Sequence, residues 1–358
     1  MYNHAQHYKI YDHCRGRSIL GISEGGAAID VPDHRWSLPP LDADRLGRLA
    51  GYALLFHDVF SRADQRQRLE LYLRGLLDGA EPKNAEAIAG RWAGESGASG
   101  VAQALQHLLG SSPWDAGRFL ARYRSRLPEP CGDHLRLWVV QDVVFPKQGR
   151  HSVGTQRQLA RPMGRKINCQ VGVAVSEFRT DGFFPLAIRL YLPGYWLREH
   201  RGLAERLVPA EHREHRPKSD LAIQLIDELR GGGRRVELLT ADGGFLSSED
   251  FTDAVALREM QVLRPENDAP PAPGDPSSPS GVEGEAKAAA LARLGLAETD
   301  RGFDWLRRHL GLGQFEGRNW LGWHHHAALV LAAYGFLVSE RLGPDHPPLP
   351  APARGGPT

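Results

Sequence analysis

The stretch LRLWVVQDVVF, residues 135–145, decides the fold. It is a short apolar run interrupted by one acid, Asp142, the pattern of a strand covered on both faces. Downstream, NCQVGVAVSEFR (168–179) and FPLAIRLYLP (184–193) read as two more strands, with a turn signal at Asp181-Gly182 between them. DLAIQLIDELRGGG (220–233) is an amphipathic helix closed by glycines. RVELLTADGGF (235–245) is a strand ending in a second acid, Asp242. SEDFTDAVALREM (248–260) follows as a helix and MQVLRP (260–265) as a fifth strand. The order βββαβαβ predicts a mixed α/β sheet, flanked by helices and opening with an antiparallel meander.

Upstream the periodicity is helical. LDADRLGRLAGYALLFHDVF (41–60), QRLELYLRGLLDGA (67–80), AEAIAGRWAG (85–94), GVAQALQHLLG (100–110) and SSPWDAGRFLARYRSRL (111–127) predict a helical N-terminal domain over 1–130, with core strands and helices over 131–264. Residues 265–286, which begin PENDAPPAPGDPSSPSGVEGE, read as a disordered Pro-rich linker. The segment 287–342 is helical: AKAAALARLGLA (286–297) and GFDWLRRHLGL (302–312) predict two helices, and EGRNWLGWHHHAALVLAAYGFLVSER (316–341) a long helix or helical hairpin. The tail, 343–358, has the composition of chain that does not pack.

Composition excludes several classes. A hydrophobic content of 41% and a charged content of 24% suit a globular protein. No stretch approaches the roughly 18 consecutive apolar residues of a membrane span, and MYNHAQHYKIYDHC lacks a signal peptide's apolar core. A cytoplasmic protein is the expectation. Cys14, Cys131 and Cys169 are too few and too scattered for a disulfide framework or zinc knuckle, so each reads as a reduced, buried thiol. With a net charge of +1, any nucleic-acid surface has to be local.

Asp142 and Asp242 stand at corresponding places on two strands. A carboxylate among apolar strand neighbours costs several kcal/mol unless it is paired or binds metal. Taken singly, each also reads as an aspartate capping the next element. Glu316, in FEGRNW, is placed at the start of the last long helix, sharing a face with Trp320, Trp323 and Ala327; alone, it reads equally as a helix-start carboxylate. Together, two strand aspartates and a late glutamate are the ligand set that two-metal phosphoryl transfer uses, with hard oxygen donors for Mg²⁺.

The blocks VVQDVVFPKQGRHSVGTQRQLARPMGRKINCQVGVAVS, FPLAIRLYLPGYW, LLTADGGF and LGLGQFEGRNWLGWHHHAALVLAAYGFL resemble DDE-type bacterial insertion-sequence transposases, in the group related to insertion sequence seven-oh-one. FSRADQRQRLELYLRGLLDGAEPKNAEAIA is similar to the leading helical region of that group. The resemblance covers most of 50–340. It implies an RNase H-like core, a catalytic and metal-binding triad at Asp142, Asp242 and Glu316, and Mg²⁺ or Mn²⁺ as cofactor. It also implies double-stranded DNA with element-end inverted repeats and target DNA as partners, a homodimer in the active complex, and association with the nucleoid when bound. The chain departs from the group in its short interval of 74 residues between Asp242 and Glu316 (316 − 242), partly the Pro-rich linker, where members carry a longer, partly stranded insertion. ADGGF also lacks the usual aromatic-Gly ending after the second Asp. A catalytically decayed, DNA-binding remnant is the alternative, and a host nuclease on the same fold a third reading.

Six basic residues and no acid lie between Asp142 and Glu177: Lys147, Arg150, Arg157, Arg161, Arg165 and Lys166. Read as a positive loop beside the acids, they would hold DNA phosphates, with Arg318 and Trp320 as further DNA contacts; a merely solvated loop is the other reading. Three successive helical histidines, His324, His325 and His326, diverge by about 100° per residue and cannot converge on one zinc ion. One or two are expected to face the DNA or the metal-bound phosphate, with Arg318 and Trp320, and the rest to pack.

Overall fold

β1 (Arg136–Pro146) holds the middle of the sheet because every residue from Leu137 to Phe145 is buried. In this computed structural model the described residues are 38, 40–92, 97–128, 135–160, 163–179, 182–265 and 279–342. β1 pairs antiparallel with β3 (Arg165–Arg179) along its whole length, Asp142 facing Val173, and parallel with β5 (Leu238–Ala241). The opposite edge of β3 carries β2 (Gln156–Ala160) at its start and β4 (Gly182–Leu190) along the rest. β6 (Gln261–Val262) pairs parallel with β5. The result is a six-stranded mixed sheet in the order β2-β3-β1-β5-β6, with β4 beside β2 on β3. An antiparallel meander followed by two parallel strands, flanked by helices, is the RNase H-like arrangement.

β2 is absent from the sequence-based expectation, and the basic segment 147–166 is not simply a loop. QRQLA shows no apolar run, and only the N-terminal extension of β3 gives it a partner. Gly164, at φ +60°, takes the left-handed backbone just before β3. Asp181 of the expected turn lies outside the described residues.

Among the described residues, five α-helices precede the sheet: α1 (Ala43–Leu54), α2 (Ala63–Leu77), α3 (Ala85–Trp92), α4 (Ala98–Gly110) and α5 (Ala116–Arg124). Asp42 caps α1 through the Arg45 N–H, and Asp115 caps α5 through those of Gly117 and Arg118. Their apolar faces do not close a core of their own. Leu49, Phe56, Leu73, Leu108 and Phe119 belong to one continuous cluster with Val173 and Leu186 of the sheet and with Leu329. After β4 come α6 (Gly194–Glu199), α7 (Arg201–Leu207) and α8 (Lys218–Gly231); α9 (Gly243–Leu246) and α10 (Glu249–Ala256) separate β5 from β6.

α11 (Pro279–His309) is a single helix where two were expected, and it begins inside the segment read as linker. No proline interrupts it after its first residue, and Arg301 pairs with Glu298 one turn back across the expected break. Gly295 and Gly302 let it lie close on the sheet. A Cβ at Gly295 would stand 2.7 Å from the Leu137 side chain, and one at Gly302 2.4 Å from the Phe183 ring. α12 (Trp320–Leu342) is buried over most of its length. The tail from 343 on, with Cys14 and Cys131, lies outside the described residues; Cys169 is a buried free thiol. Among the described residues, no helix is long and apolar enough to cross a membrane.

Candidate active site

Asp142 lies in the second half of β1, 4% exposed. Asp242 follows the last residue of β5, and its N–H donates to the Val140 carbonyl at 3.0 Å, extending the parallel ladder by one rung. The Asp142 N–H, further along β1, donates to Asp242 Oδ2 at 3.1 Å. Asp242 Oδ1 accepts from the Gly244 N–H at 2.9 Å, so the same carboxylate caps α9. Both capping and strand-end readings of Asp242 therefore hold, and they bring its side chain to Asp142.

The charge on Asp142 is met by Lys218, the first residue of α8, whose Nζ is 2.5 Å from Oδ2. The Lys218 ammonium also lies 5.2 Å from the centre of the Tyr191 ring. Burial, and secondarily the negative charge of Asp142, raise the Tyr191 phenol above its ordinary pKa. The local field is that of a buried anion demanding a cation.

A third acid approaches from α11. Gln141, on the opposite face of β1 from Asp142, donates through Nε2 to Asp300 Oδ1 at 2.8 Å. Burial of the carboxyl group raises the Asp300 pKa, and the neighbouring charges of Asp304 and Asp242 raise it further against the Gln141 bond and Arg307. Asp300 is thus within electrostatic reach of Asp242. The sequence signal for it is an acid one turn before Phe303, on a helix whose Thr299 and Gly302 turn inward.

Glu316 does not join these acids. It is exposed and lies in the loop before α12, where Oε1 accepts from Asn84 Nδ2 at 2.8 Å. The helix starts four residues later because Asn319 caps it through the Gly322 N–H at 2.9 Å. Gly317 and Gly322 leave the space the Phe315 ring fills. Glu316 consequently shares no helical face with Trp320, Trp323 or Ala327. Its neighbour Phe315 accepts from Lys147 Nζ at 3.0 Å, beyond the far end of β1 and roughly 16 Å along the chain from Asp142 at strand rise. Among the described residues no three His, Cys, Asp or Glu side chains already stand close enough to hold a metal. The residues nonetheless suit a hard divalent cation. The donors of Asp142 and Asp242 are all oxygens, and a cationic ammonium occupies the buried end of the pair.

The basic residues divide. Lys147 is occupied by the Phe315 carbonyl, and burial lowers its pKa against the raising effect of Glu316. Arg150, Arg157, Arg165 and Lys166 are exposed; Arg161 lies outside the described residues. The β2–β3 register sets Arg157 opposite Asn168 and Leu159 opposite Lys166, so Arg157 and Lys166 share a face while Arg165 is on the other. Arg318 is exposed, with its carbonyl held by the Val153 N–H at 2.9 Å. Trp320 stacks on His212, ring centroids 4.1 Å apart, and lies tilted against His324 at 3.6 Å. All three consecutive histidines are buried and none faces outward. His324 binds Trp320 and β4, His325 the backbone of Leu109 and Trp114, and His326 Tyr72 and Gly311.

A family model described as DDE superfamily endonuclease matches residues 55–300, more than half of the chain. The match contains Asp142 and Asp242 and reaches Asp300; Glu316 lies beyond it. No curated protein and no solved structure matches the chain.

Proposed function

Because the chain belongs to the DDE superfamily endonucleases, we propose that it is a transposase of the insertion-sequence-seven-oh-one-like group, cutting DNA at the inverted repeats of its element and joining the freed 3′ ends to target DNA. The observation that carries this reading is the bond from the Asp142 backbone N–H to the Asp242 carboxylate, which ties two acids of adjacent parallel strands together, with the Lys218 ammonium on the Asp142 carboxylate. These two carboxylates would hold Mg²⁺ or Mn²⁺, which supplies activation of the attacking oxygen and stabilisation of the leaving one. Asp242 fixes the end of β5 against β1, which sets where the carboxylates point. Arg157 and Lys166, on one face of the β2–β3 hairpin, hold the DNA backbone, with Arg150 nearby in sequence and Arg318 bonded through its carbonyl to Val153. A helical region ahead of the sheet reads the element end, and two copies act together on the two ends.

For the third acid there are two readings. Motif resemblance assigns Glu316. Asp300, on a helix packed on the sheet and bonded to Gln141, next to Asp142 in sequence, is the second. The chain cuts end DNA in Mg²⁺ under this proposal, and Asp142→Asn or Asp242→Asn binds the same DNA without nicking it. Asp300→Asn or Glu316→Gln, assayed in parallel, identifies the third ligand as the one whose loss abolishes nicking. Nicking unchanged in Asp142→Asn would remove the mechanism. Wild-type protein that binds end DNA and never cuts it is the decayed remnant, a reading supported by the absence of an assembled three-acid cluster among the described residues.

A further inference from the structure

Lys218 stands where a helix disfavours a cation. It is the first residue of α8, beside the partial positive charge of the helix N-terminus, and Pro217 before it offers no side-chain cap. What meets the ammonium there is Asp142: Nζ lies 2.5 Å from Oδ2, with the lysine side chain 24% exposed and the aspartate 2%. A carboxylate this deeply buried has to be neutralised by a nearby positive charge. An ammonium and a divalent ion both meet that need, and both would use Asp142 as their partner.

We propose that Lys218 is a positioning residue that holds Asp142 in the metal-free protein and has to be displaced before a divalent cation binds. The metal affinity of the site is then set by an internal competitor. The inference rests on reading Asp142 as a metal ligand. The geometry permits the exchange: the lysine stem is long and flexible, its head is part-exposed, and it also lies over the face of Tyr191. While the ion pair is formed, Asp142 keeps its orientation without metal, at the cost of weaker metal binding.

The test is a Mn²⁺ titration without DNA, following free Mn²⁺ by electron paramagnetic resonance, on wild type, Lys218→Met, Lys218→Gln and Asp142→Asn. Removal of the competitor is expected to tighten Mn²⁺ binding roughly tenfold, about 1.4 kcal/mol, in both lysine variants, and Asp142→Asn to abolish it. Thermal unfolding gives a second readout: Lys218→Met loses stability without metal and gains more than wild type from saturating Mn²⁺. Two lysine variants guard against one that misfolds. Binding as weak as wild type or weaker in both, with Asp142→Asn still abolishing it, overturns the competitor and leaves the metal reading standing. Absence of binding in wild type and lysine variants alike also overturns it. Wild-type Mn²⁺ affinity in Asp142→Asn overturns the metal reading itself.

Discussion

Replacing His326 with glutamine changes how stability depends on pH, by an amount the structure sets. The ring of His326 is buried, with Nε2 2.9 Å from the Gly311 carbonyl and Nδ1 2.9 Å from the Tyr72 hydroxyl. With the proton on Nε2, that nitrogen donates to Gly311 and Nδ1 accepts from Tyr72, so the neutral ring satisfies both partners. Burial lowers its pKa from 6.5 to about 4. The folded pKa is below the unfolded one. The contribution is therefore fully present above pH 6.5 and is lost as pH falls toward 4, since the unfolded chain takes up the proton first. The full effect is about 3 kcal/mol, of which about 2 kcal/mol develops between pH 7 and pH 5. His326→Gln has no such proton. At pH 7 it is less stable than wild type, and the difference between the two proteins shrinks by about 2 kcal/mol at pH 5. Urea unfolding of both proteins at pH 7, 6 and 5 measures it. Parallel stability profiles would refute the argument, because they would mean His326 titrates alike in both states. His325, also lowered to about 4, and His324, well below its ordinary value, keep their own slopes in both proteins and cancel from the difference.

The remaining predictions concern the DNA surface and the sheet. Arg157→Ala with Lys166→Ala is expected to weaken DNA binding about equally for all sequences and to flatten the slope of log affinity against log salt by about 2, measured by anisotropy between 50 and 200 mM salt on the order used for such slopes; an unchanged slope removes that face from the DNA contact. Gly302→Ala is expected to cost about 1–3 kcal/mol by overpacking, since its Cβ would meet the Phe183 ring at 2.4 Å. A variant as stable as wild type in urea would show that α11 does not bear on β4 as described.

The strands of the sheet were legible because β1, β3 and β4 are buried on both faces and announce themselves as apolar runs. β2 was not, because QRQLA is polar and becomes a strand only through the edge of β3. The join between the two expected helices was hidden for a related reason. AETDRG is polar and glycine-containing, which locally resembles a break, yet Gly302 is there to let α11 approach Phe183. Asp142 and Asp242 could be read as a pair because each interrupts or ends an apolar strand. Lys218 could not, since a single lysine before an amphipathic helix carries no spacing pattern. Its meaning comes from a contact 76 residues away in sequence. An acid ahead of a Trp-rich run reads as a helix start, which puts Glu316 on the helix, whereas Asn319 is the cap.

The two candidates for the third carboxylate make unequal demands on the fold. Bringing Glu316 to Asp142 requires the loop before α12 to give up the Asn84 bond to Glu316, the Lys147 bond to Phe315 and the Val153 bond to Arg318. At about 1 kcal/mol for each hydrogen bond, that is a few kcal/mol before the Phe315 ring is moved from beneath Gly317 and Gly322. DNA would have to supply it. Asp300 makes a different demand: it sits on a helix packed against β1 and β5 and is bonded to Gln141, which faces the side of β1 opposite to Asp142, so the sheet stands between the two carboxylates. Its pKa is raised first by burial and then by Asp304, with Asp242 a smaller contributor. Each acid is thus separated from Asp142 by a structural obstacle, a bonded loop for Glu316 and the sheet itself for Asp300, and the parallel nicking assay of Asp300→Asn and Glu316→Gln decides which obstacle metal and DNA overcome.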